Sequence, residues 1–279
     1  DISESNKAKL KEFTKLYGRS VHFITLPNLT SLIDFDFDTN GWSPIVLARL
    51  LVDKLLPDDI DRILYLDGDT LVLGSLESLW KLDMGNRSIG MGPESTVDAE
   101  RRGFLGLDKQ MYCNAGVLLI DLQRWRKRKL GEKVLEYYKK HDGNLFANDQ
   151  DAINGSLKDD IYFFYPYKVL KKLSFPAEFI SRQELREAIE NPIIVHYLGE
   201  ERPWRKGNTH KLRKYYLYYL EKTPWSKTPM ETGWELYFIC FRIFNIVMKP
   251  FPMLRYKIIN SLIPTFMKYR KKQLQKNKN

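Results

Sequence analysis

Two aspartates one residue apart, Asp67 and Asp69, lie between the apolar residues 63–66 and a second apolar run at 70–73. A run this apolar predicts a strand buried on both faces of a parallel sheet. The carboxyl end of such a strand is where open α/β sheets bind ligands. Gly68 permits a turn that aims both carboxylates at one point. Because neighbouring carboxylates repel each other, we expect a divalent cation there, and hard oxygen ligands favour magnesium or manganese.

This short acidic motif alone leaves three interpretations open. The simplest is a polar turn, because Asp-Gly is common where a strand ends. The second is a nucleotide-sugar transferase, in which Asp67 and Asp69 hold a metal ion on the donor diphosphate. The third is a phosphatase of the haloacid dehalogenase type, whose strand also ends in two acids, here followed by Thr70.

The overall composition is that of an ordinary globular protein. The 279 residues are 43% hydrophobic and 29% charged, which suits one large domain with an appendage. Two cysteines, Cys113 and Cys240, provide neither a disulfide framework nor a metal cluster, which fits a reducing compartment. The net charge is +10, but no recognisable nucleic-acid-binding module accompanies it, so we expect no nucleic-acid partner.

The positive charge is concentrated near the C terminus. Residues 205–279 carry 17 Lys and Arg against 3 Asp and Glu, whereas residues 1–204 are slightly acidic. Residues 234–248 are nearly all apolar but fall short of the roughly 20 residues needed to cross a bilayer. Residues 249–279 contain nine Lys and Arg and no acid. This composition predicts a helix lying in an anionic membrane surface, and the alternative is an appendage packed on the main domain.

Predicted strands and helices alternate along most of the chain. Helices are predicted at residues 3–17, 44–56, 122–141, 149–154 and 181–190, the fourth of them capped by Asn148. Strands are predicted at residues 21–26, 63–66, 88–91, 112–120, 161–164 and 193–197, and a mobile loop at 95–110. The alternation predicts an α/β fold with a mainly parallel sheet flanked by helices.

Further polar residues follow the last predicted strand. His196 ends this strand, and an imidazole beside Asp67 and Asp69 would favour manganese over calcium, although such a histidine is often purely structural. In the loop that follows, Gly199 would permit close approach of a phosphate, and Arg202 would pair with diphosphate oxygens. A surface turn is the alternative for this loop.

A third polar segment, Asn148-Asp149-Gln150-Asp151, opens a predicted helix. Acids there are stabilised by the helix dipole, so capping is a sufficient explanation. The functional interpretation places a carboxylate or an amide of this segment near a reacting sugar carbon.

Taken together, these segments resemble family eight of the retaining glycosyltransferases, which includes bacterial lipopolysaccharide galactosyltransferases. The resemblance covers residues 1 to about 204. It is carried by Ala48-Arg49-Leu50, Asp67-Gly68-Asp69, Tyr112-Cys113-Asn114-Ala115-Gly116-Val117, Asn148-Asp149-Gln150-Asp151-Ala152-Ile153-Asn154 and His196-Tyr197-Leu198-Gly199-Glu200-Glu201-Arg202-Pro203-Trp204. Each segment is short, but their order and spacing together are specific.

The resemblance implies a GT-A type fold, a UDP-glucose or UDP-galactose donor, a glycan acceptor, and Mn²⁺, with Mg²⁺ as an alternative. By motif position, Asp67, Asp69 and His196 would hold the metal ion. The other implied positions are Arg49, Gly68, Asn114, Gly199 and Arg202 for the donor, Glu94, Asn114 and Gln150 for the sugars, and Gln150 and Asp151 for catalysis.

The family retains the anomeric configuration, which leaves two routes open. A covalent intermediate requires a nucleophile, for which Asp151 is chemically better suited than Gln150. Same-face attack through an oxocarbenium-like ion pair would require Gln150 only to stabilise charge.

Two features depart from the family pattern. Arg202 stands where lysine is common, and the two cations differ in geometry. Asp1 aligns inside the family domain, so a catalytic domain at residues 1–206 would lack its first strand, helix and second strand, which supply much of the uridine pocket. We therefore expect weak or absent transferase activity from this chain, and a non-catalytic sugar-nucleotide-binding protein is a further alternative.

Residues 207–279 are predicted to form a helical, aromatic and basic appendage. The resemblance implies a bacterial enzyme, and the composition of this appendage predicts that it is cytoplasmic and peripheral to the inner face of the plasma membrane.

Overall fold

In the structure, which is a computed structural model, the chain divides into two units. The terminal unit comprises Asp1–Leu26 and Tyr197–Val247, and the sheet unit comprises Pro27–His196 and Met248–Asn279. The residues described are 2–26, 28–40, 42–94, 97, 99–107, 110–164, 169–171, 190–251, 254, 255, 257–259, 261, 262 and 265. The domain boundary expected after residue 206 stays a prediction.

The elements alternate along the chain. The helices are α1 (Glu4–Lys15), α2 (Val52–Leu55), α3 (Glu77–Trp80), α4 (Ala99–Phe104), α5 (Leu122–Lys127), α6 (Leu130–Lys140), α7 (Asn148–Leu157), α8 (Arg213–Leu220) and α9 (Glu235–Val247). Short 3-10 helices span Leu29–Ser31 and Pro44–Leu51. The strands are β1 (Arg62–Leu66), β2 (Thr70–Val72), β3 (Ile89–Pro93), β4 (Cys113–Asp121), β5 (Ile161–Phe163), β6 (Val169–Lys171) and β7 (Ile194–His196).

The described strands form two sheets with mixed pairing. The larger sheet has the order β1-β4-β3-β5, and the smaller has the order β2-β7-β6. β4 is antiparallel to β1 and β3, and β2 is antiparallel to β7, whereas the β3–β5 and β6–β7 pairs are parallel. The predicted α/β class is confirmed, but the described sheets are mixed rather than mainly parallel, because β4 runs opposite to both neighbours.

Strand β4 is the centre of the larger sheet. Every residue from Cys113 to Ile120 is buried. Leu118 and Ile120 belong to one hydrophobic core, whereas Val117 and Leu119 belong to another. Because side chains alternate across a strand, β4 contributes to cores on both faces of its sheet.

The apolar run around Asp67 differs from its prediction. It forms two strands, β1 and β2, which belong to different sheets. β1 is partly exposed along its whole length, because β4 is its one partner in the described sheet. The strand buried on both faces is β4 instead.

Other elements also differ from their predictions. Residues 21–26 pair with no strand among the described residues, although their composition favours a strand. The helix expected at 44–56 is mostly a 3-10 helix, and the one expected at 122–141 is broken at Lys129, whose φ is 52°. The loop expected at 95–110 contains α4. The helix expected at 181–190 lies outside the described residues, except for its last residue.

The terminal unit is built on helices. Ser3 caps α1, because its side chain accepts a hydrogen bond from Asn6 N–H. Trp225 Nε1 donates to Asn6 Oδ1 at 3.0 Å and so ties α1 to the later part of this unit. Across the described residues, every helix is too short or too polar to span a bilayer.

Candidate active site

The pairing of β2 with β7 brings His196 to the two predicted acidic ligands. Thr70 lies opposite His196 in this pair. His196 Nε2 lies 3.0 Å from Asp69 Oδ1 and 3.6 Å from Asp67 Oδ2. His196 is buried, whereas the side chains of Asp67 and Asp69 are 26% and 14% exposed. The carboxylates are therefore the solvent-facing part of this cluster.

The cluster fits a divalent metal ion. One potential ligand atom from each of Asp67, Asp69 and His196 lies within 4.8 Å of the other two. Among the described residues, this is the one group of three such side chains with ligand atoms this close. Two carboxylates and an imidazole are a donor set that suits manganese.

Asp67 is oriented by neighbouring donors. Its Oδ1 accepts a hydrogen bond from the Tyr65 hydroxyl at 2.8 Å and lies 3.0 Å from Arg49 Nη2. These contacts fix the carboxylate and leave Oδ2 directed toward His196. Thr70 closes the turn, because its N–H and its hydroxyl both donate to Asp67 O.

Two glycines lie at the cluster, and the structure requires glycine at only one of these positions. A Cβ on Gly116 would lie 2.1 Å from His196 Cε1 and 2.7 Å from Asp67 Oδ2, so no side chain fits there. A Cβ on Gly68 would meet no atom within 4 Å. The fold therefore needs glycine at position 116 and does not need it at 68, where the open space is available to a ligand.

Arg49 links the metal cluster to the start of α7. Its side chain is 8% exposed, and its Nε lies 3.0 Å from Asp149 Oδ2. Its Nη1 donates to Ala115 O at 2.6 Å, and its guanidinium stacks 4.6 Å from the centre of the Tyr65 ring. Burial alone would lower the pKa of Arg49, but Asp149 and Asp67 raise it, so the guanidinium stays charged.

Asp149 is a buried acid within α7. Burial raises the pKa of its carboxyl to about 7, despite the nearby Arg49, and the negative charge of Asp67 adds to the rise. A carboxyl buried this deeply needs its arginine partner to hold a charge at neutral pH.

Gln150 has its amide engaged at both ends. Its Oε1 accepts from Ala115 N–H at 2.9 Å, and its Nε2 donates to the Tyr112 hydroxyl at 3.0 Å. The next residue, Asp151, is 1% exposed and accepts from Tyr112, Arg101 and Ala147. Gln150 is therefore the more accessible of the two predicted catalytic residues.

Asn114 and Glu94 come together where β3 ends beside β4. Asn114 Nδ2 donates to Glu94 Oε2 at 3.1 Å, and Asn114 Oδ1 accepts from Gly116 N–H at 2.9 Å. Glu94 N–H donates to Tyr112 O at 2.8 Å, which extends the pairing of the two strands. These contacts place the predicted sugar-binding pair on the same strand end as Gly116.

Helix α7 is docked on β4 by Asn154. Its Oδ1 accepts from Cys113 N–H at 2.7 Å, and its Nδ2 donates to Cys113 O at 2.8 Å. The start of α7 differs from its prediction, because no side chain caps it. Asn148 has a φ of 47°, and its side chain donates to Thr39 O at 3.1 Å instead.

Gly199 and Arg202 belong to the terminal unit. Gly199 has a φ of 68°, a conformation that favours glycine. Arg202 Nη1 donates to Tyr197 O at 2.9 Å, and its guanidinium lies 5.7 Å from the centre of the Trp204 ring. Their contact with a diphosphate stays a prediction.

Sequence reasoning assigned no role to several residues that support the site. These are Tyr65, Arg101, Tyr112, Asp149 and Asn154. Tyr65, Tyr112, Asp149 and Asn154 lie within or beside the motifs identified in the sequence. The motifs gave their positions but did not indicate which residues they contact. The sequence did not indicate a role for Arg101, because its segment was expected to be a loop.

Comparison with known proteins gives a consistent picture. The family model described as Glycosyl transferase family 8 matches residues 1–208. General stress protein A of Bacillus subtilis (strain 168) is 29% identical over 233 residues, which cover 81% of each protein. Lipopolysaccharide 1,2-glucosyltransferase of Escherichia coli (strain K12) is 30% identical over 193 residues, covering 67% of this chain and 57% of that enzyme.

A solved structure extends this similarity to the fold. The crystal structure of galactosyltransferase LgtC in complex with donor and acceptor sugar analogs has a TM-score of 0.68 and 26% sequence identity to this chain. The match covers 80% of this chain and 82% of LgtC. The GT-A type fold implied by the sequence resemblance is thereby confirmed.

Proposed function

The chain belongs to glycosyl transferase family 8, and on this premise we propose that it transfers glucose or galactose from a UDP-sugar to a glycan acceptor. The proposal includes a Mn²⁺ ion, or Mg²⁺, held by Asp67, Asp69 and His196. The observation that carries it is the convergence of three ligand atoms within 4.8 Å at the expected motif positions. The names of the glucosyltransferase and galactosyltransferase relatives support a hexose donor.

The chain's own residues prepare this metal site. The metal ion, when bound, would act as a Lewis acid that offsets negative charge on the departing diphosphate. Tyr65 and Arg49 hold one oxygen of Asp67 and leave the other directed toward His196. Strand pairing fixes His196, and the missing side chain of Gly116 leaves room for the imidazole. The ligands are thus held in place before the donor arrives, which limits the cost of ordering them.

On the sugar side, we assign Gln150, Asn114 and Glu94 to the transferred hexose and the acceptor. Gln150 Oε1 uses one lone pair for Ala115 N–H and retains a second, which suits it to stabilise positive charge at the sugar carbon. Asp151 is enclosed by donors, so we favour same-face attack over a covalent intermediate on this carboxylate. The anomeric configuration would be retained.

By motif position, we also propose Arg202 and Gly199 for the donor diphosphate. Arg202 supplies a cation for the diphosphate, and Gly199 permits close backbone approach. Gly68 likewise permits close approach of the donor to the backbone next to Asp67 and Asp69, because a Cβ there would meet no protein atom within 4 Å.

The phosphatase alternative has less support. It rests on the acids and Thr70, and the Thr70 hydroxyl donates to Asp67 O at 2.7 Å, where it stabilises the turn. The transferase proposal also accounts for His196, Asn114 and Gln150.

The decisive experiment measures UDP release from UDP-glucose and UDP-galactose, with and without Mn²⁺. We expect Mn²⁺-dependent release from one of the two donors. UDP binding without release would favour a non-catalytic binding protein, and phosphate release from a generic ester would favour the phosphatase.

We also propose that the protein lies on the anionic, cytoplasmic face of the plasma membrane. Helix α9 carries a row of aliphatic side chains that are all more than half exposed: Leu236, Ile239, Ile243, Ile246 and Val247. The spacing places them along one side of a helix. Its 13 residues span about 20 Å, so the helix would lie along the surface rather than cross it.

Charge and redox state support the same location. Residues 205–279 have a large excess of Lys and Arg, which are attracted to the anionic lipids of the cytoplasmic leaflet. Cys240 is free and exposed, which suits a reducing compartment.

Vesicle sedimentation tests this location. We expect the protein to pellet with vesicles containing phosphatidylglycerol and to stay in solution with pure phosphatidylcholine. Replacing Ile239 and Ile243 by Glu should abolish pelleting, because it buries charge in the interface. The matched control, Ile24→Glu with Ile45→Glu, changes two equally exposed isoleucines outside α9 and should pellet normally. Equal pelleting of both double variants would contradict the proposal.

A further inference from the structure

A hydrogen-bonded network connects α4 to the amide of Gln150. Arg101 Nη2 lies 2.5 Å from Asp151 Oδ1 and 2.9 Å from the Tyr112 hydroxyl oxygen. The Tyr112 hydroxyl donates to Asp151 Oδ1 at 2.5 Å and accepts from Gln150 Nε2 at 3.0 Å. The Arg101 guanidinium also stacks 4.4 Å from the centre of the Phe146 ring.

From this network we infer that Asp151, Tyr112 and Arg101 are positioning residues, which fix the orientation of the Gln150 amide for the transfer step. The inference rests on the proposed function and deepens it. It assigns Asp151 a role through Tyr112 rather than through the sugar carbon.

The surroundings of Asp151 argue against direct contact with a substrate. Its Oδ1 accepts from both Tyr112 and Arg101, and its Oδ2 accepts from Ala147 N–H at 2.9 Å. The residue is 1% exposed. A carboxylate held by three donors has little electron density available for attack on carbon, and reaching the sugar would break these bonds.

Tyr112 transmits the orientation of Asp151 to Gln150. It is 2% exposed, and burial raises the pKa of its phenol well above 10, so it keeps its single proton. That proton is donated to Asp151, which leaves the phenol oxygen only as an acceptor for Gln150. Gln150 must therefore turn its Nε2 toward Tyr112 and its Oε1 toward Ala115 N–H. Without the carboxylate, the phenol is free to donate to Oε1 and the amide can turn over.

Arg101 offsets the energetic cost of burying the Asp151 carboxylate. A buried carboxylate without a cationic partner is costly, and the Arg101 guanidinium supplies the opposite charge next to Asp151 Oδ1. Arg101 comes from α4, so this helix is tied to α7 by the same contact.

The test compares kcat and donor KM of Tyr112→Phe, Asp151→Asn and the double variant. We expect each single change to lower kcat about 10- to 100-fold, with donor KM within about twofold of the unsubstituted protein. The double variant should be within about threefold of the slower single variant, because both changes break one chain of contacts. Arg101→Lys, which keeps the charge, should retain more activity than Arg101→Ala.

The matched control is Tyr138→Phe. Tyr138 is also fully buried, and its hydroxyl donates to Asn148 Oδ1 at 3.3 Å, outside this network. It should keep its kcat, so that loss of a buried hydroxyl is separated from loss of the network. Turnover abolished by Asp151→Asn with normal kcat in Tyr112→Phe would overturn the inference, because Asp151 would then act directly. Multiplicative losses in the double variant would also overturn it.

A second measurement does not depend on transfer. The side-chain NH₂ signals of Gln150, assigned by their loss in Gln150→Glu, should shift in Tyr112→Phe and Asp151→Asn but not in Tyr138→Phe. Unchanged signals would overturn the network even if the protein is a transferase. Shifted signals in a protein that releases no UDP would support the network and contradict the proposed function.

Discussion

Two Asp-x-Asp sequences lie at the candidate site, and they differ in the exposure and the partners of their carboxylates. In Asp67-Gly68-Asp69 the side chains are 26% and 14% exposed and converge with His196. In the pair formed by Asp149 and Asp151 the side chains are 8% and 2% exposed. Each acid of this second pair contacts a guanidinium from another part of the chain.

The difference shows which of the two acidic motifs is open to a cation from solution. The first pair is partly exposed, and one carboxylate oxygen of each acid lies within 4.8 Å of the other, so a cation from solution can reach both. The second pair already has its cations, because Arg49 lies 3.0 Å from Asp149 and Arg101 lies 2.5 Å from Asp151. Arg49 also lies 3.0 Å from Asp67 Oδ1, so the two motifs differ in exposure and in the second guanidinium. Both acids of the buried pair contact an arginine, whereas the partly exposed acids of the first pair converge with His196 at a place that a cation from solution can reach.

The largest effect expected from this contrast is at the first pair. Asp69→Asn keeps the size of the side chain but removes a charged metal ligand, so we expect Mn²⁺-dependent turnover to fall about 1000-fold. Without metal, the free energy of unfolding should change by less than about 1 kcal/mol, because relief of the repulsion between the two carboxylates offsets the weaker contact with His196. Steady-state kinetics and urea unfolding in EDTA measure the two quantities.

Asp151→Ala is the matching change at the second pair. It removes the acceptor shared by Tyr112 and Arg101 in a buried place, so we expect it to cost about 3 kcal/mol of stability. If Asp69→Asn destabilised the metal-free protein more than Asp151→Ala, the contrast between the two motifs would be wrong.

A smaller effect is expected at Gly116. Its added methyl group in Gly116→Ala would lie 2.1 Å from His196 Cε1, so the imidazole must move. We expect Mn²⁺ affinity, measured by calorimetry, to fall about 10- to 100-fold. Gly68→Ala is the control for metal affinity, because its methyl group would meet no protein atom. Equal Mn²⁺ affinity of the two variants would mean that the imidazole is not a ligand.

The sequence predicted the residues of the candidate site better than it predicted the contacts that hold them in place. The motif around Asp67, the buried strand with Asn114, and the strand ending at His196 were all recognisable from local pattern. The pairing of β2 with β7 was not, although it is what brings His196 to the acids. Pattern reasoning reports local periodicity, whereas register between distant strands depends on tertiary packing.

Arg101 illustrates the same limit for side chains. Scattered charges and glycines favoured a loop for its segment, yet α4 forms there and its arginine contacts Asp151. Arg101 and Asp151 are 50 positions apart in the sequence, so no local pattern predicts their contact. The α/β class was predictable, but the antiparallel position of β4 and the partial exposure of β1 were not.

The last expected effect concerns the pH dependence of the second motif. Burial raises the pKa of Asp149 in the folded protein to about 7, above its ordinary value of 3.8. Between these two values the folded state binds more protons than the unfolded state, so the free energy of unfolding falls as pH rises. This group contributes a slope of up to about 1.4 kcal/mol per pH unit in that window. Asp149→Asn should remove that part of the slope and should gain stability relative to the unsubstituted protein from about pH 4 to 7.

Urea unfolding at several pH values, with EDTA present to keep the first motif free of metal, measures this slope. The exposed Asp58 offers a control, and Asp58→Asn should keep the slope of the unsubstituted protein. Equal slopes in all three proteins would mean that Arg49 holds Asp149 charged across this range. Asp149 would then resemble an exposed carboxylate, and burial would no longer explain why the two motifs differ. A slope lost only in Asp149→Asn would instead show that folding keeps one motif open for a metal ion while burying the other at a cost that rises with pH.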